Sequence, residues 1–436
     1  MIPVALDEIE RLAPGELRRA PEAGEATGLS IDSRRVEPGD LFVAVGRGAE
    51  YADEALAQGA VAALLPDDAF AALAAIAQEV RSRSKANVVA VTGSTAKTST
   101  KDILAALCAP HAHTIAAEGS QNNEVGLPLT LCRLEPDTEI AILEMGMRGV
   151  GQIAELCAVA RPDVGIITSV GPVHLELLGS VERVAQAKAE LIDALPAGGT
   201  AVVPADAPYL EPYLGRDDLQ VYRFGEGGDV TLTSFAAHDD SARLKVSAFG
   251  RALSLEFSFS SRYNAMNALA ALAAYHALGL PLGKAGRGAR KVQLSRLRGE
   301  EISLPEGGTL INDCYNANPL SMLAALDHLA ERAGDRRKVA VLGDMAELGP
   351  GGSAYHREVG AAVSRVGVEV LVAVGPLARA YVEGARGVPT VRWAPSVEAG
   401  LTALRQLLQP GDCVLVKGSR AMGLEAIAEA VAVVPA

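Results

Sequence analysis

The stretch Val91–Thr100, VTGSTAKTST, constrains the fold of this 436-residue chain more than any other. It follows the apolar run Asn87–Val91 and leads into a helical pattern over Thr98–Leu107, so strand, loop and helix follow in that order. Backbone N–H groups at such a helix start favour phosphate oxygens. Phosphate loops of the GxxxxGK(S/T) type, however, have glycine before the lysine, whereas Ala96 precedes Lys97 here. The pattern alone therefore leaves open a phosphate site and a Ser/Thr-rich turn that caps an ordinary helix.

Apolar runs and helical patterns alternate through the middle of the chain, which indicates an α/β fold. Runs ending at Glu144 and Pro204 are typical of buried strands, and helical patterns such as Gln152–Val159 separate them. Strands that alternate with helices predict a parallel sheet with helices on its faces. Between about Asp229 and Ser260 the pattern changes to short alternating runs, which predict an antiparallel addition.

Two changes of pattern predict three domains. The polar stretch RSRSKA, residues 81–86, is typical of a linker, and a second series of apolar runs separated by helices begins near Gln293. This second series predicts a doubly wound, Rossmann-like sheet. We therefore expect a small α/β domain over 1–84, a central domain with the phosphate-loop candidate over 85–292, and a Rossmann-like domain over 293–436.

Charge and cysteine usage exclude several classes of protein. The net charge of −13 at pH 7 argues against general binding to nucleic acid or anionic membranes, although local groups can still grip a phosphorylated substrate. The five cysteines are scattered and never in CxxC spacing, so we expect reduced core thiols in a cytoplasmic protein. Neither a signal-peptide pattern nor an apolar run of about 18 residues occurs, so we expect no membrane insertion.

Three residues beyond the loop could carry metal chemistry. Glu144 ends a predicted central strand at the edge where α/β sheets bind ligands, and could hold Mg²⁺; a solvated strand-end acid is the alternative. His174 follows the next strand and would lie at the same edge, which favours a metal ligand over a structural histidine. Lys188, by its spacing on a helix, is predicted to be a solvated surface lysine.

Other polar side chains lie on a later helix and after later strands. Asn264 and Asn267 share one face of a predicted helix, and both adenine recognition and helix capping are open to them. Polar residues also follow several strands of the predicted third domain: Asp313, Tyr315, Asn316, Asn318, Asp344, Glu347, Lys417, Ser419 and Arg420. Each could belong to a capped turn, but their recurrence along one sheet predicts a binding edge.

Five strings together resemble the Mur ligase family of ATP-dependent amide-forming ligases: QNNEVGLPLTL, EMGMRGVGQIAEL, AKAEL, INDCYNANPLSM and LGDMAELG. The resemblance runs along nearly the whole chain. It implies a UDP-binding N-terminal domain, a central ATPase and a C-terminal Rossmann-like ligase domain over the three segments above. It also implies ATP, two Mg²⁺ ions and a cytoplasmic part in peptidoglycan synthesis, which builds the cell wall and supports cell shape and division.

The resemblance assigns residues to the nucleotide and its metals. The phosphates would be held by the loop residues Gly93, Ser94, Thr95, Ala96, Lys97, Thr98 and Ser99. The metal ligands would be Thr98, Glu144, His174 and Lys188. Lys188 would be carbamylated, so the resemblance overturns the surface prediction for that lysine. Asn264 and Asn267 would contact adenine, Asp313 the ribose, and Arg296 the nucleotide. The catalytic residues implied are Lys97, His174, Lys188 and Arg296.

The resemblance implies substrate contacts in all three domains. Asp32, Ser33 and Arg34 would lie in the uridine-binding region, and Asn122, Asn123 and Asn316 would face the substrate. The chain departs from the family pattern at four positions: Ala96 and Ser295 for glycine, Ser99 for threonine, and Tyr263 for histidine. Of these four, Ala96 alone touches the phosphate chemistry directly.

The strings are most similar to the branch that joins D-alanyl-D-alanine to UDP-N-acetylmuramoyl-tripeptide. We therefore expect these two substrates, an acyl-phosphate intermediate and a monomeric enzyme. One alternative is a related ligase with another amino partner, either a Mur-type amino acid ligase or a folylpolyglutamate synthetase. Another is a non-catalytic binding protein in which Ala96 is the lesion.

Overall fold

Three main sheets follow one another along the chain, and each gathers its strands from one stretch of sequence. The structure is a computed structural model that describes residues 1–432. Helices connect most of the successive strands, which confirms the predicted α/β fold. We call the three parts the N-terminal, central and C-terminal units; domain boundaries at 84/85 and 292/293 stay predictions.

The N-terminal unit contains β1 (Val4–Ala5), β2 (Gly15–Arg19), β3 (Glu25–Ala26), β4 (Gly28–Ser30), β5 (Asp40–Val43), β6 (Ala62–Pro66), α1 (Leu6–Leu12), α2 (Ala52–Gln58) and α3 (Ala69–Arg83). Its sheet has the order β2–β6–β5–β4, and β1 pairs with β3 beside it. The interpretation of residues 81–86 as a linker is wrong at its start, because α3 continues to Arg83. Arg81 there donates from Nε to Ala160 O at 2.9 Å, so the polar stretch packs on the central unit.

The central unit contains the strands β7 (Asn87–Thr92), β8 (Thr114–Ala116), β9 (Ile140–Glu144), β10 (Val164–Ile167), β11 (Thr200–Pro204), β12 (Gln220–Phe224), β13 (Val230–Ala237), β14 (Ala242–Ala248) and β15 (Arg251–Phe257). Its helices are α4 (Lys97–Cys108), α5 (Gly126–Leu131), α6 (Gln152–Ala160), α7 (Leu175–Leu178), α8 (Val181–Asp193), α9 (Arg262–Ala277) and α10 (Gly286–Ala289).

The central sheet has the order β15–β14–β13–β12–β11–β10–β7–β9–β8. The strands from β8 to β12 pair in parallel, and β13, β14 and β15 pair antiparallel. This confirms the predicted antiparallel addition. The sequence pattern missed β12, whose parallel contact with β13 makes the addition continuous with the parallel part.

The C-terminal unit contains β16 (Glu300–Ser303), β17 (Thr309–Asn312), β18 (Lys338–Gly343), β19 (Val370–Val374), β20 (Thr390–Ala394), β21 (Cys413–Lys417), α11 (Pro319–Ala333), α12 (Gly352–Arg365), α13 (Arg379–Gly384), α14 (Val397–Leu407) and α15 (Glu425–Ala432). Its sheet has the order β16–β17–β21–β18–β19–β20. All of its pairings are parallel except that of β16 with β17, as a doubly wound sheet requires.

One apolar cluster joins the N-terminal unit to a face of the central sheet. It runs from Ile2 through α3 to residues of α5, α6 and α8, so these two units share a core. The five cysteines are all buried and free, as predicted. Among the helices of residues 1–432, none has the length and apolar content that a bilayer crossing requires.

Candidate functional site

A cavity of about 1060 Å³ opens at the carboxyl edge of the central sheet. All three units line it: Phe70 comes from α3, the loop residues 93–99 from the central unit, and Arg298 and Asn318 from the C-terminal unit. The volume lies just above the range of about 300–1,000 Å³ that is typical of small-molecule sites. A cavity at the meeting point of three units is therefore the candidate site.

The loop after β7 is held in place by the segment after β10. Thr168 Oγ1 donates to Thr95 O at 2.5 Å, and Gly171 N donates to Ser94 Oγ at 3.0 Å. Gly93 is required at its position, since φ is +153° and a Cβ there would lie 1.9 Å from Thr168 Oγ1. The loop is thus pinned from the sheet side, while its helix-start N–H groups stay free of intrahelical partners.

Ala96 has a positive φ. Its backbone lies at φ +67° and ψ −1°, in the left-handed region, and it precedes the first residue of α4. Glycine adopts this conformation without penalty, whereas an L-residue with a Cβ is strained there by about 1–2 kcal/mol. The loop therefore keeps the backbone shape of a glycine-containing phosphate loop, and Ala96 still carries its N–H donor.

Thr98 and Glu144 form the polar centre of the cavity wall. Thr98 Oγ1 donates to Glu144 Oε2 at 2.8 Å, and Asn122 Nδ2 donates to Glu144 Oε1 at 2.8 Å. Thr98 and Glu144 are both buried. Lys97 folds back so that Nζ donates to Gly93 O at 2.9 Å; burial lowers its pKa, and the Glu144 carboxylate opposes that shift.

His174 and Lys188 face the same cavity from neighbouring segments. His174 Nδ1 lies 2.5 Å from Glu347 Oε2 of the C-terminal unit. Burial lowers the pKa of His174, while Glu347 opposes the shift and the charge of Lys188 adds to it. Lys188 is buried on α8, which contradicts the surface position expected from spacing alone. Burial lowers the pKa of Lys188 well below its ordinary value, and Lys97 lowers it further.

The predicted adenine contacts lie one behind the other at the start of α9. Asn267 lines the cavity, and its Nδ2 donates to Asn264 Oδ1 at 2.8 Å. Asn264 is buried behind it and donates in turn to Ser261 Oγ at 2.7 Å. Asn267 is therefore the residue that could touch a ligand, and Asn264 orients it. Tyr263 also lines this part of the cavity.

Residues just after β17 and at the end of β21 complete the C-terminal wall. Asp313 and Asn316 both line the cavity, as expected. Lys417 is buried, and its Nζ lies 2.6 Å from Asp313 Oδ2 and 2.9 Å from Asn316 O. One lysine thus joins the two predicted contact residues. Of the nine strand-end residues in the sequence pattern, five line the cavity, whereas Asp344, Glu347, Ser419 and Arg420 do not.

Several residues implied by the resemblance do not meet in the cavity. Asp32, Ser33 and Arg34 form a turn in the N-terminal unit and do not line it. The carboxyl of Asp32 is engaged by Arg34, whose hydrogen bonds lower the pKa of Asp32 to about 2. Arg296 is exposed and borders a separate small pocket instead. Asn122 and Asn123 do line the main cavity.

Unlike Arg296, which the resemblance assigned to the nucleotide, Arg298 lines the main cavity. Its Nη2 donates to Thr98 Oγ1 at 3.0 Å and to Ser120 Oγ at 3.1 Å, and its guanidinium stacks on the Tyr315 ring at 3.8 Å. The chain segment before it is fixed to α4, because Asp102 Oδ2 accepts from both N and Oγ of Ser295 at 2.8 Å. Sequence reasoning missed Arg298, although it lies two residues after Arg296 in the same string.

Comparisons with known proteins agree with this geometry. Residues 91–275 match the family model of the Mur ligase middle domain, and residues 297–420 match that of the Mur ligase glutamate ligase domain. A UDP-N-acetylmuramoyl-tripeptide–D-alanyl-D-alanine ligase from Synechocystis is 37% identical over 424 residues, covering 92% of this chain and 90% of that protein.

Two solved structures are similar along almost the whole chain. A MurF structure from Acinetobacter baumannii has a TM-score of 0.87 at 28% identity and covers 99% of each chain. The MurF ligase from Thermotoga maritima in complex with ADP has a TM-score of 0.80 at 28% identity, covering 93% of this chain and 97% of that one.

The strain at Ala96 predicts that Ala96→Gly stabilises the protein. Relief of the left-handed strain, about 1–2 kcal/mol, exceeds the entropy that glycine adds to the unfolded chain, about 0.5–1 kcal/mol. We expect the free energy of unfolding to rise by roughly 0.5–1 kcal/mol, measured by chemical denaturation.

Glu22→Gly is the matched control. Glu22 is exposed, does not line the cavity and has φ +63°. Both variants should stabilise the protein by similar amounts. Destabilisation by Ala96→Gly beside stabilisation by Glu22→Gly would contradict a strained Ala96.

Proposed function

This chain belongs to the Mur ligase family, and we propose that it joins D-alanyl-D-alanine to UDP-N-acetylmuramoyl-tripeptide with the use of ATP. The observation that carries the proposal is the Thr98–Glu144 pair beneath an intact phosphate loop, in a chain that matches ligases of this activity along its length. The product of this reaction is the pentapeptide precursor of peptidoglycan.

The phosphates of ATP are the part of the nucleotide for which the cavity offers the most binding groups. The loop offers N–H groups at the start of α4, and the dipole of that helix favours negative charge. Lys97 and Arg298 add two cations beside Thr98. We assign the adenine end to Asn267 and the ribose to Asp313, which line the same cavity.

The reaction converts the terminal carboxylate of the tripeptide, which has a poor leaving group, into an acyl phosphate, from which phosphate leaves readily. The terminal carboxylate of the tripeptide attacks the γ-phosphorus of ATP, which releases ADP and leaves an acyl phosphate. The amine of D-alanyl-D-alanine then attacks the acyl carbon; the C–N bond forms, the C–O bond to phosphate breaks, and the amine loses a proton. Lys97 and Arg298 neutralise the transferring phosphoryl group, and the enclosing units keep water from the acyl phosphate.

The residues around Thr98 fit a Mg²⁺ ion. The hydroxyl of Thr98 and the carboxylate of Glu144 present oxygen ligands 2.8 Å apart, which are the donors that Mg²⁺ prefers. When bound, Mg²⁺ supplies positive charge to the phosphate oxygens and so favours attack by an anion. Thr98 and Glu144 are therefore the residues we assign to a first ion.

A second ion fits only if Lys188 changes its chemistry. His174 supplies a nitrogen, which Mg²⁺ accepts less readily than oxygen, and an amine supplies no oxygen at all. Carbamylation of Lys188 would supply oxygen ligands, because R–NH₂ and CO₂ combine to R–NH–COO⁻ and release a proton. The reaction needs the neutral amine, and burial lowers the pKa of Lys188 towards that form. We propose that His174 and carbamylated Lys188 hold the second ion.

Phosphate release tests the function. The protein with ATP and Mg²⁺ should release phosphate only when both UDP-N-acetylmuramoyl-tripeptide and D-alanyl-D-alanine are present. Faster turnover with glutamate, lysine or diaminopimelate as acceptor would favour a related ligase instead.

Ala96→Gly should change turnover by tenfold or less, since no N–H donor is lost; a gain above a hundredfold would support a binding protein disabled at Ala96.

Carbamylation predicts a specific signal at Lys188. With ¹³C-labelled bicarbonate, the wild-type protein should show a carbamate carbon resonance that is absent in Lys188→Ala. Turnover of Lys188→Ala should fall at least tenfold, about 1.4 kcal/mol of barrier, because the second ion loses its oxygen ligands.

Lys245→Ala serves as the control for this signal. Lys245 is an exposed lysine on β14, away from the cavity, and its loss should leave both the resonance and the turnover unchanged. A wild-type spectrum without the resonance, recorded at saturating bicarbonate and Mg²⁺, would refute carbamylation.

We predict that Arg298, rather than Arg296, binds the nucleotide. Arg298→Ala should weaken ADP binding by about 10–100-fold, since hydrogen bonds to charged groups contribute about 1.5–3 kcal/mol. Arg298→Lys should give a smaller loss, because it keeps the charge without the planar fork. Isothermal titration calorimetry with ADP and Mg²⁺ measures both.

Arg296→Ala is the matched comparison two residues away. Because Arg296 is exposed and outside the main cavity, its removal should change ADP affinity by about twofold or less. Equal weakening by the two alanine variants would show that Arg296 reaches the nucleotide after all.

A further inference from the structure

A carboxylate of the C-terminal unit reaches the predicted metal ligand of the central unit. Glu347, in the loop after β18, places Oε2 2.5 Å from His174 Nδ1. Its backbone makes a second contact, because Glu347 O accepts from Glu176 N at 3.2 Å. Arg148 Nε lies 3.7 Å from the other carboxylate oxygen. Side chain and backbone of one residue thus both bridge the two units.

The backbone on both sides of this contact is held in an uncommon conformation. φ is +52° at His174 and +62° at Glu347, in the left-handed region that residues with a Cβ rarely adopt. Such residues persist where the surrounding structure holds them, and they concentrate at functional sites. Gly349 keeps the approach close, since a Cβ there would lie 3.2 Å from Glu176 Cα.

The loop that carries Glu347 is fixed to its own unit from behind. Met345 N donates to Nε2 of the buried His356 at 3.0 Å, and Ala346 N donates to Ser419 Oγ at 2.9 Å. His356 Nδ1 in turn bonds Gly352 O at 2.7 Å, so this ring is fully satisfied. Glu347 therefore moves together with the C-terminal unit.

We propose that Glu347 is a positioning residue that sets the tautomer of His174 and so links docking of the C-terminal unit to completion of the metal site. An ionised carboxylate only accepts hydrogen bonds, so Nδ1 of His174 carries the proton and Nε2 keeps its lone pair. His174 lines the cavity, and Nε2 is the nitrogen left for an ion there. Metal-binding histidines are commonly oriented by a carboxylate on the other ring nitrogen.

The two residues are 173 positions apart in sequence and belong to different units. With the units apart, Glu347 would not reach Nδ1, and the imidazole tautomers would exchange freely in water. His174 is then an oriented metal ligand only in the docked state. Metal binding therefore stabilises docking by the same free energy by which docking strengthens metal binding. This inference rests on the proposed function, through the assignment of His174 as a ligand.

Histidine ¹⁵N NMR tests the tautomer, with His174→Gln used to assign the resonance. In the metal-free wild-type protein, His174 should show the Nδ1–H form; in Glu347→Ala it should show a mixture dominated by Nε2–H. Mn²⁺ affinity in the presence of ADP, measured by electron paramagnetic resonance, should fall about 10–100-fold in Glu347→Ala. Glu347→Gln should lose less, because its amide oxygen still accepts from Nδ1.

Glu383→Ala is the control within the same unit. Glu383 is exposed and pairs with Arg357 at 3.4 Å, so its loss should leave tautomer and Mn²⁺ affinity unchanged. The same tautomer and Mn²⁺ affinity in wild type and Glu347→Ala would overturn the inference, even if the enzyme releases phosphate as proposed. A retained tautomer effect without acceptor-dependent phosphate release would instead overturn the ligase proposal alone.

Discussion

The parallel pairing of β7 with β9 on one side and β10 on the other is the constraint on which the site depends. Parallel strands bring their carboxyl ends to one edge, so the loop after β7, Glu144 and the segment after β10 meet there. Val91 pairs with Glu144, which places the carboxylate within hydrogen-bonding distance of Thr98. A slip of one residue would turn Glu144 to the opposite face of the sheet and remove this contact.

Three basic side chains, Lys97, Lys188 and His174, gather at this edge, and burial lowers the pKa of each. Lys97 lowers the pKa of Lys188, and Lys188 lowers that of His174, so the three groups disfavour one another's charged forms. Glu144 is the carboxylate that opposes the shift at Lys97. A site built in this way is matched to a ligand that brings its own negative charge, as a nucleotide triphosphate does.

The C-terminal unit completes the site by contacting three parts of the central unit. Asn318 Nδ2 donates to Ser94 O at 3.1 Å, Arg298 contacts Thr98, and Glu347 contacts His174. Each part of the central site, whether loop, helix start or histidine, thus has one partner from the C-terminal unit. Since an acyl phosphate survives only where water is excluded, dependence on docking suits the proposed chemistry.

The amino-acid sequence by itself determined the α/β fold and predicted that the loop after β7, Glu144 and His174 share one edge of the sheet. It could do so because strand and helix periods are local, and because the ends of neighbouring parallel strands share one edge. The surface position expected for Lys188 was wrong, because Lys188 shares the buried face of its helix with Val184 and Leu191. The positive φ at Ala96 also needed the folded loop, because an alanine ordinarily adopts a negative φ. Only the tertiary structure brought Arg298, and not Arg296, into the cavity beside Thr98 and brought Glu347 to His174, since these contacts join residues 200 and 173 positions apart.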